Sequence, residues 1–145
     1  MPNTHRTAGP RLLFHPIFVS LGAALLIGAL ATDILYFGTS LMQWANFSAW
    51  LITAGLLVGL VASLALVVDV LRGRAGLINW PHFIVFTIVV LLSLLNAFVH
   101  SRDAWTSVVP EGILLSVIVT ILLLTIGWRS WSVSAIPGPT RGESA

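Results

Sequence analysis

The sequence predicts an all-α integral membrane protein folded as an up-and-down bundle of four transmembrane helices. Three observations predict it. Apolar residues make up 57% of the 145-residue chain and charged residues 8%, against roughly 45–50% and about 25% in soluble domains. The apolar residues gather into four runs, Leu12 to Phe37, Phe47 to Leu71, Pro81 to Val99 and Val108 to Trp128, each long enough at about 1.5 Å per residue to cross a hydrocarbon core of about 30 Å. Arginines then alternate in placement: Arg6, Arg11, Arg72, Arg74, Arg129 and Arg141 all fall on one side of the alternating runs.

Taken in order, residues 1–11 read as a cytoplasmic tail, 12–133 as the four-helix domain and 134–145 as a disordered cytoplasmic tail rich in Pro and Gly. The helices are expected at about 14–37, 47–71, 81–100 and 109–131. Pro16, Pro81 and Pro110 each stand near a helix start, where a missing N–H is harmless. A cleaved signal peptide ending at Ala29-Leu30-Ala31 is the competing reading of the first run, but the apolar stretch continues through Ile34-Leu35-Tyr36-Phe37. The connectors Gly38–Asn46, Arg72–Trp80 and Ser101–Ser107 are short, so consecutive helices should be antiparallel neighbours. The arginine asymmetry predicts that both termini lie in the cytoplasm. Trp44, Trp50 and Trp105 belong to one aromatic belt and Trp80, Trp128 and Trp131 to the other.

Composition also excludes chemistry. With no Cys there is no thiolate metal site, cysteine-ligated cluster or covalently attached haem. The formal charge of +2 reports topology in a lipid-embedded chain rather than nucleic-acid binding. No nucleophile elbow, phosphate loop or zinc motif is present, so the chain reads as a non-enzyme.

Ionisable residues at membrane depth are costly and turn inward, so they mark where function would reside. His15, Asp69 and His82 lie near the cytoplasmic ends of the first three helices. Two imidazoles at one depth fit the axial ligands of a b-type haem, with Asp69 orienting a ligand and Arg72 and Arg74 pairing with propionates. The alternative is purely structural: a His beside Pro caps a helix, and Asp69 pairs with Arg72 or Arg74. On the opposite side Asp33 and His100 form a second pair, which Asn96 and Tyr36 are placed to join. With Ser93 these residues would make part of a proton path, although the middle of the bundle adds only Thr87 and Thr120. Small residues supply close-packing ridges: Gly55 and Gly59 on the second helix, extended by Ser63, and Ser20, Ala24, Gly28 and Thr32 on the first. These ridges pack the two helices on each other, or else form the face of a homo-oligomer.

Phe14-His15-Pro16-Ile17, a first span with Asp33, a second ending in Asp69, Trp80-Pro81-His82 opening a span with Asn96, Ser101-Arg102-Asp103, Val109-Pro110-Glu111-Gly112 and Ile126-Gly127-Trp128 together resemble the DUF2231 family of bacterial predicted membrane proteins. The resemblance implies a four-helix inner-membrane protein. It further implies association with redox modules: a periplasmic quinoprotein dehydrogenase, a cytochrome c or a Rieske-type protein. Family members carry His-Phe-Pro where this chain has Val19-Ser20-Leu21, and Leu-Gly-Gly where it has Arg129-Ser130-Trp131. Three functions stay open at this point: an electron-transfer subunit or anchor, a structural or assembly protein without a cofactor, and a small proton-coupled transporter component using Asp33 and Asp69.

Overall fold

A computed structural model describes residues 14–72, 80–102 and 108–132; the side chains of 14–16, 69, 80 and 127–132 fall outside that description. Four long helices dominate: α1 (Phe14–Thr39), α2 (Met42–Leu71), α3 (Trp80–His100) and α4 (Ile113–Ser132). No strand occurs among the described residues. Each helix contains a segment long and apolar enough to span a bilayer: Ile17–Thr39, Met42–Val68, Pro81–His100 and Val108–Ile126, the last including the turn before α4. The protein is a multi-pass membrane protein.

Two boundaries differ from the sequence reading. The first connector shrinks from Gly38–Asn46 to Ser40 and Leu41, because α1 runs to Thr39 and α2 starts at Met42. Near a membrane, backbone groups are best satisfied inside a helix, so both helices extend until a tight reversal is all that remains. Ser40 makes it by adopting φ 55 and donating its N–H to the Tyr36 carbonyl at 2.7 Å, a left-handed cap at the end of α1. At the fourth helix Pro110 does not open the α-helix but sits in a π-type turn, Val108–Gly112, joined to Val109 by a cis peptide bond. Val109 is extended (φ −118, ψ 126), the conformation that a following Pro imposes, and regular helix starts at Ile113.

The helices are arranged in the cyclic order α1, α2, α3, α4, with α1 also packing on α4. That leaves α1 and α3 facing each other diagonally. Large apolar side chains point outward, among them Leu57, Leu60, Leu64, Leu91, Phe98 and Leu124. The interior mixes apolar and polar groups: of the largest fully buried side chains, Ile52 and Val108 are apolar, while Asp33, Ser48 and Ser93 are not. Large apolar side chains can face outward because lipid solvates leucine as well as a protein core does, whereas polar groups need shelter.

The α1–α2 seam is the largest helix interface. A Cβ added at Gly55 would lie 2.9 Å from Leu26 Cγ and 3.3 Å from the Gly22 carbonyl oxygen, and one at Gly22 would lie 3.4 Å from the Gly55 carbonyl oxygen. The backbones therefore meet at Gly22, which faces Gly55 and also the Gly59 nitrogen, 3.7 Å from a Cβ built at Gly22. The expected partners of Gly55 are corrected accordingly. A Cβ at Gly59 would meet nothing within 4 Å, and one at Gly28 only Leu51 Cδ1 at 3.6 Å. Residues four apart on a helix diverge by about 40°, so with Gly55 on the contact line the Cβ direction of Gly59 turns away from α1, although its backbone nitrogen stays near Gly22.

Candidate functional site

At the end of the bundle holding the Ser40–Leu41 turn, one buried carboxylate gathers side chains from all four helices. Asp33 of α1 is fully buried. Its Oδ1 accepts a hydrogen bond from Ser48 Oγ of α2 and lies 3.0 Å from His100 Nε2 of α3. Its Oδ2 accepts from Ser116 Oγ of α4 at 2.6 Å. Asn96 of α3 donates from Nδ2 to Ser116 Oγ at 2.8 Å, and the Asn96 carbonyl oxygen lies 3.0 Å from His100 Nδ1. Ser48 Oγ is also 3.3 Å from the Ala29 carbonyl oxygen. The Asp33–His100 bond crosses the bundle diagonally, tying together two helices that are not neighbours in the ring.

Apolar layers close the network above and below. One cluster, Tyr36, Ala45 and Val108 with Trp44, Val109 and Ile113 packed against it, lies on the side of the turn end. The other, Leu26, Ala29, Ile52, Val89 and Val119, lies towards the middle of the helices. On α1 Asp33 falls between Ala29 and Tyr36, and on α2 Ser48 falls between Ala45 and Ile52, so the polar layer is bracketed by the same two clusters. The side chains of His100 and Asp33 are 1% and 0% exposed.

Hydrogen-bond roles fix the proton count of the pair. A carbonyl oxygen only accepts, so His100 Nδ1 must carry a proton to donate to Asn96. The 3.0 Å line from Nε2 to Oδ1 needs one proton as well. Two protons make the unit neutral overall, whether as imidazolium with carboxylate or imidazole with carboxylic acid. A neutral unit avoids the cost of a lone charge at membrane depth, which is how α1 tolerates an acid inside its span. Chemically, the arrangement joins four helices through one acceptor.

The sequence pointed to Asp33, His100 and Asn96 but missed Ser48 and Ser116. The signal for them was depth: each is a hydroxyl about as far from the turn end as Asp33, on a span with few polar groups. Tyr36 belongs to the apolar lid.

The second group of expected residues lies at the other end. His82, in the first turn of α3, is separated from His100 by about five turns, roughly 27 Å along the axis. Its ring is partly buried, and Nδ1 is a buried nitrogen without a hydrogen-bond partner. Arg72 is exposed at the end of α2, its N–H bonded to the Val68 carbonyl. Arg74 and the side chains of His15 and Asp69 lie outside the described residues. Of the two histidines expected to ligate a haem, only the His82 side chain is among the described residues. Among the described residues no group of three or more His, Cys, Asp or Glu is placed to hold a metal ion.

A family model described as a predicted membrane protein, DUF2231, matches residues 11–135. The chain belongs to that family. The matched range takes in all four helices of this DUF2231 protein, including Asp33, Ser48, Asn96, His100 and Ser116. No match is found among curated proteins or among solved structures.

Proposed function

We propose that the chain is a non-catalytic, membrane-integral anchor subunit of the bacterial inner membrane, holding a periplasmic redox enzyme at the bilayer. The observation that carries the scaffold part of this reading is the Asp33 centre, where each helix contributes a side chain to one closed network. Polar groups that bond to each other across a bundle fix its shape. Those of a transport route would line a path and exchange partners, which argues against the small-transporter alternative. The redox partner class rests on the family resemblance: a quinoprotein dehydrogenase, a cytochrome c or a Rieske-type protein. The arginine asymmetry supports cytoplasmic termini and so sets the Asp33 end on the periplasmic side, where such a partner would dock.

The electron-transfer version of the reading adds a b-type haem, and it rests on the sequence placing His15 and His82 at the same end of the bundle. A haem there would supply one-electron transfer towards quinone, with His82 and His15 as the residues to hold it. The structural or assembly reading needs no such group.

Cells lacking the chain should release a quinone-reducing dehydrogenase activity from the membrane fraction, and re-expression should return it. Dehydrogenase activity that stays membrane-bound in the deletion strain overturns the anchor reading. An optical spectrum of the purified protein decides the haem: a reduced α-band lost in His82→Ala supports it, and a featureless spectrum from haem-replete membranes leaves the cofactor-free anchor.

A further inference from the structure

Hydroxyl side chains inside membrane helices ordinarily donate to a carbonyl one turn back on their own helix. Thr32, Thr39, Thr53, Ser63, Thr87 and Thr125 all do so here, at 2.6–2.9 Å. Ser93 and Thr120 do not. Their oxygens are buried without a partner, and so is Asn96 Oδ1. The residues are 1%, 8% and 2% exposed. A buried polar atom left unpaired costs about 1–3 kcal/mol, so each of the three calls for a partner.

The helix register brings them together. The helices α3 and α4 are antiparallel neighbours joined by the Asn96–Ser116 hydrogen bond. Ser93 precedes Asn96 by about one turn and Thr120 follows Ser116 by about one turn, so both step from that bond in the same direction, towards the middle of the bundle. All three oxygens thus belong to the α3–α4 seam, within about one turn of the Asp33 network and on its inner side.

We infer that Ser93, Asn96 and Thr120 form a binding site for a buried water molecule at the α3–α4 seam. Asn96 Oδ1 only accepts, while each hydroxyl both donates and accepts. One water donating to Asn96 Oδ1 and to one hydroxyl while accepting from the other satisfies all three, within the two to four partners typical of an internal water. A metal cation fits worse. Three neutral oxygens fall short of the six to eight that hard cations gather, and the Asp33–His100 unit is neutral and supplies no countercharge. The water would extend the network one turn deeper, through Asn96 and Ser116 to Asp33.

The test is water contact in the intact protein in lipid nanodiscs. The Asn96 side-chain NH2 should show a cross-peak to a long-lived water in rotating-frame NMR. Ser93→Ala/Thr120→Val should abolish that peak while the His100 ring 15N shifts stay in place, showing an intact Asp33 centre. Thr120→Val alone, which preserves shape, should weaken it and serves if the double variant folds poorly. A structure at better than about 2 Å should show a peak about 2.8 Å from at least two of the three oxygens. The inference is overturned by the absence of both signals in the wild type with Ser93 and Thr120 turned to their own helix carbonyls, by a cross-peak indifferent to the double variant, or by density that follows rubidium in anomalous maps.

Discussion

Between α1 and α2 the chain brings backbone against backbone at Gly22 and Gly55, and the seam is filled by Leu26, Ile52 and their neighbours. Between α3 and α4 it brings Asn96 against Ser116, and polar oxygens continue one turn deeper at Ser93 and Thr120. The first seam depends on shape and the second on hydrogen bonding. In lipid no hydrophobic force pulls helices together, so each seam must have its own source of attraction: dispersion across a close approach, or polar groups that lipid cannot satisfy. The carboxylate of Asp33 joins the two kinds, since it stands on the glycine-lined helix and accepts from the polar one.

The largest break in this contrast should come from Asp33→Ala. It removes the shared acceptor and strands Ser48, His100 and Ser116 together, so a loss of about 3–5 kcal/mol is expected, the scale for removing one partner of a buried charged pair. Asp33→Asn should cost under about 1 kcal/mol. Its amide can donate to His100 Nε2 and accept from Ser116, while Ser48 turns to the Ala29 carbonyl. Thermal unfolding in detergent reads both, and equal losses would contradict the neutral proton count.

Next in size is the shape-dependent seam. Gly55→Leu forces a side chain into space where even a Cβ would lie 2.9 Å from Leu26 Cγ, and about 1–3 kcal/mol of destabilisation is expected from overpacking. Gly59→Leu projects into open space and should leave the unfolding midpoint unchanged. A reversed order would put the contact line at Gly59.

Ser116→Ala tests the polar seam, removing the donor to Asp33 Oδ2 and the acceptor of Asn96 Nδ2. Individual hydrogen bonds in membranes average about 0.6 kcal/mol and reach about 1.7, so a loss of about 1–2 kcal/mol is expected in the same assay. A smaller loss than that is expected outside both seams. Arg102 and Glu111 form an ion pair at 3.2 Å with both side chains mostly exposed. Arg102→Gln should cost no more than about 0.2–1 kcal/mol and lose even that at high salt.

The sequence showed part of the polar centre because a carboxylate inside an apolar run is conspicuous, and His100 and Asn96 stand at the same end of the bundle as Asp33. It did not show Ser48 or Ser116, since a single Ser on a transmembrane helix ordinarily bonds to its own backbone and carries no directional signal. The glycine ridge was visible as a pattern, but the partner of Gly55 was not. A four-residue spacing names two candidates, and only the crossing point of two helices selects between them.

Composition and the length of four apolar runs were sufficient to determine the class, because a bilayer imposes its thickness on any chain that crosses it and leaves the backbone little choice but helix. The arginine and tryptophan placement likewise carried the expected orientation without reference to packing. Tertiary structure decided which polar groups meet. Rotation of each helix about its axis is set by contacts with its neighbours, and a change of about 100°, one residue's worth, would carry Asp33 from the bundle centre to the lipid face. That rotation places His100 across the diagonal from Asp33 and sets Ser48 and Ser116 on its two oxygens.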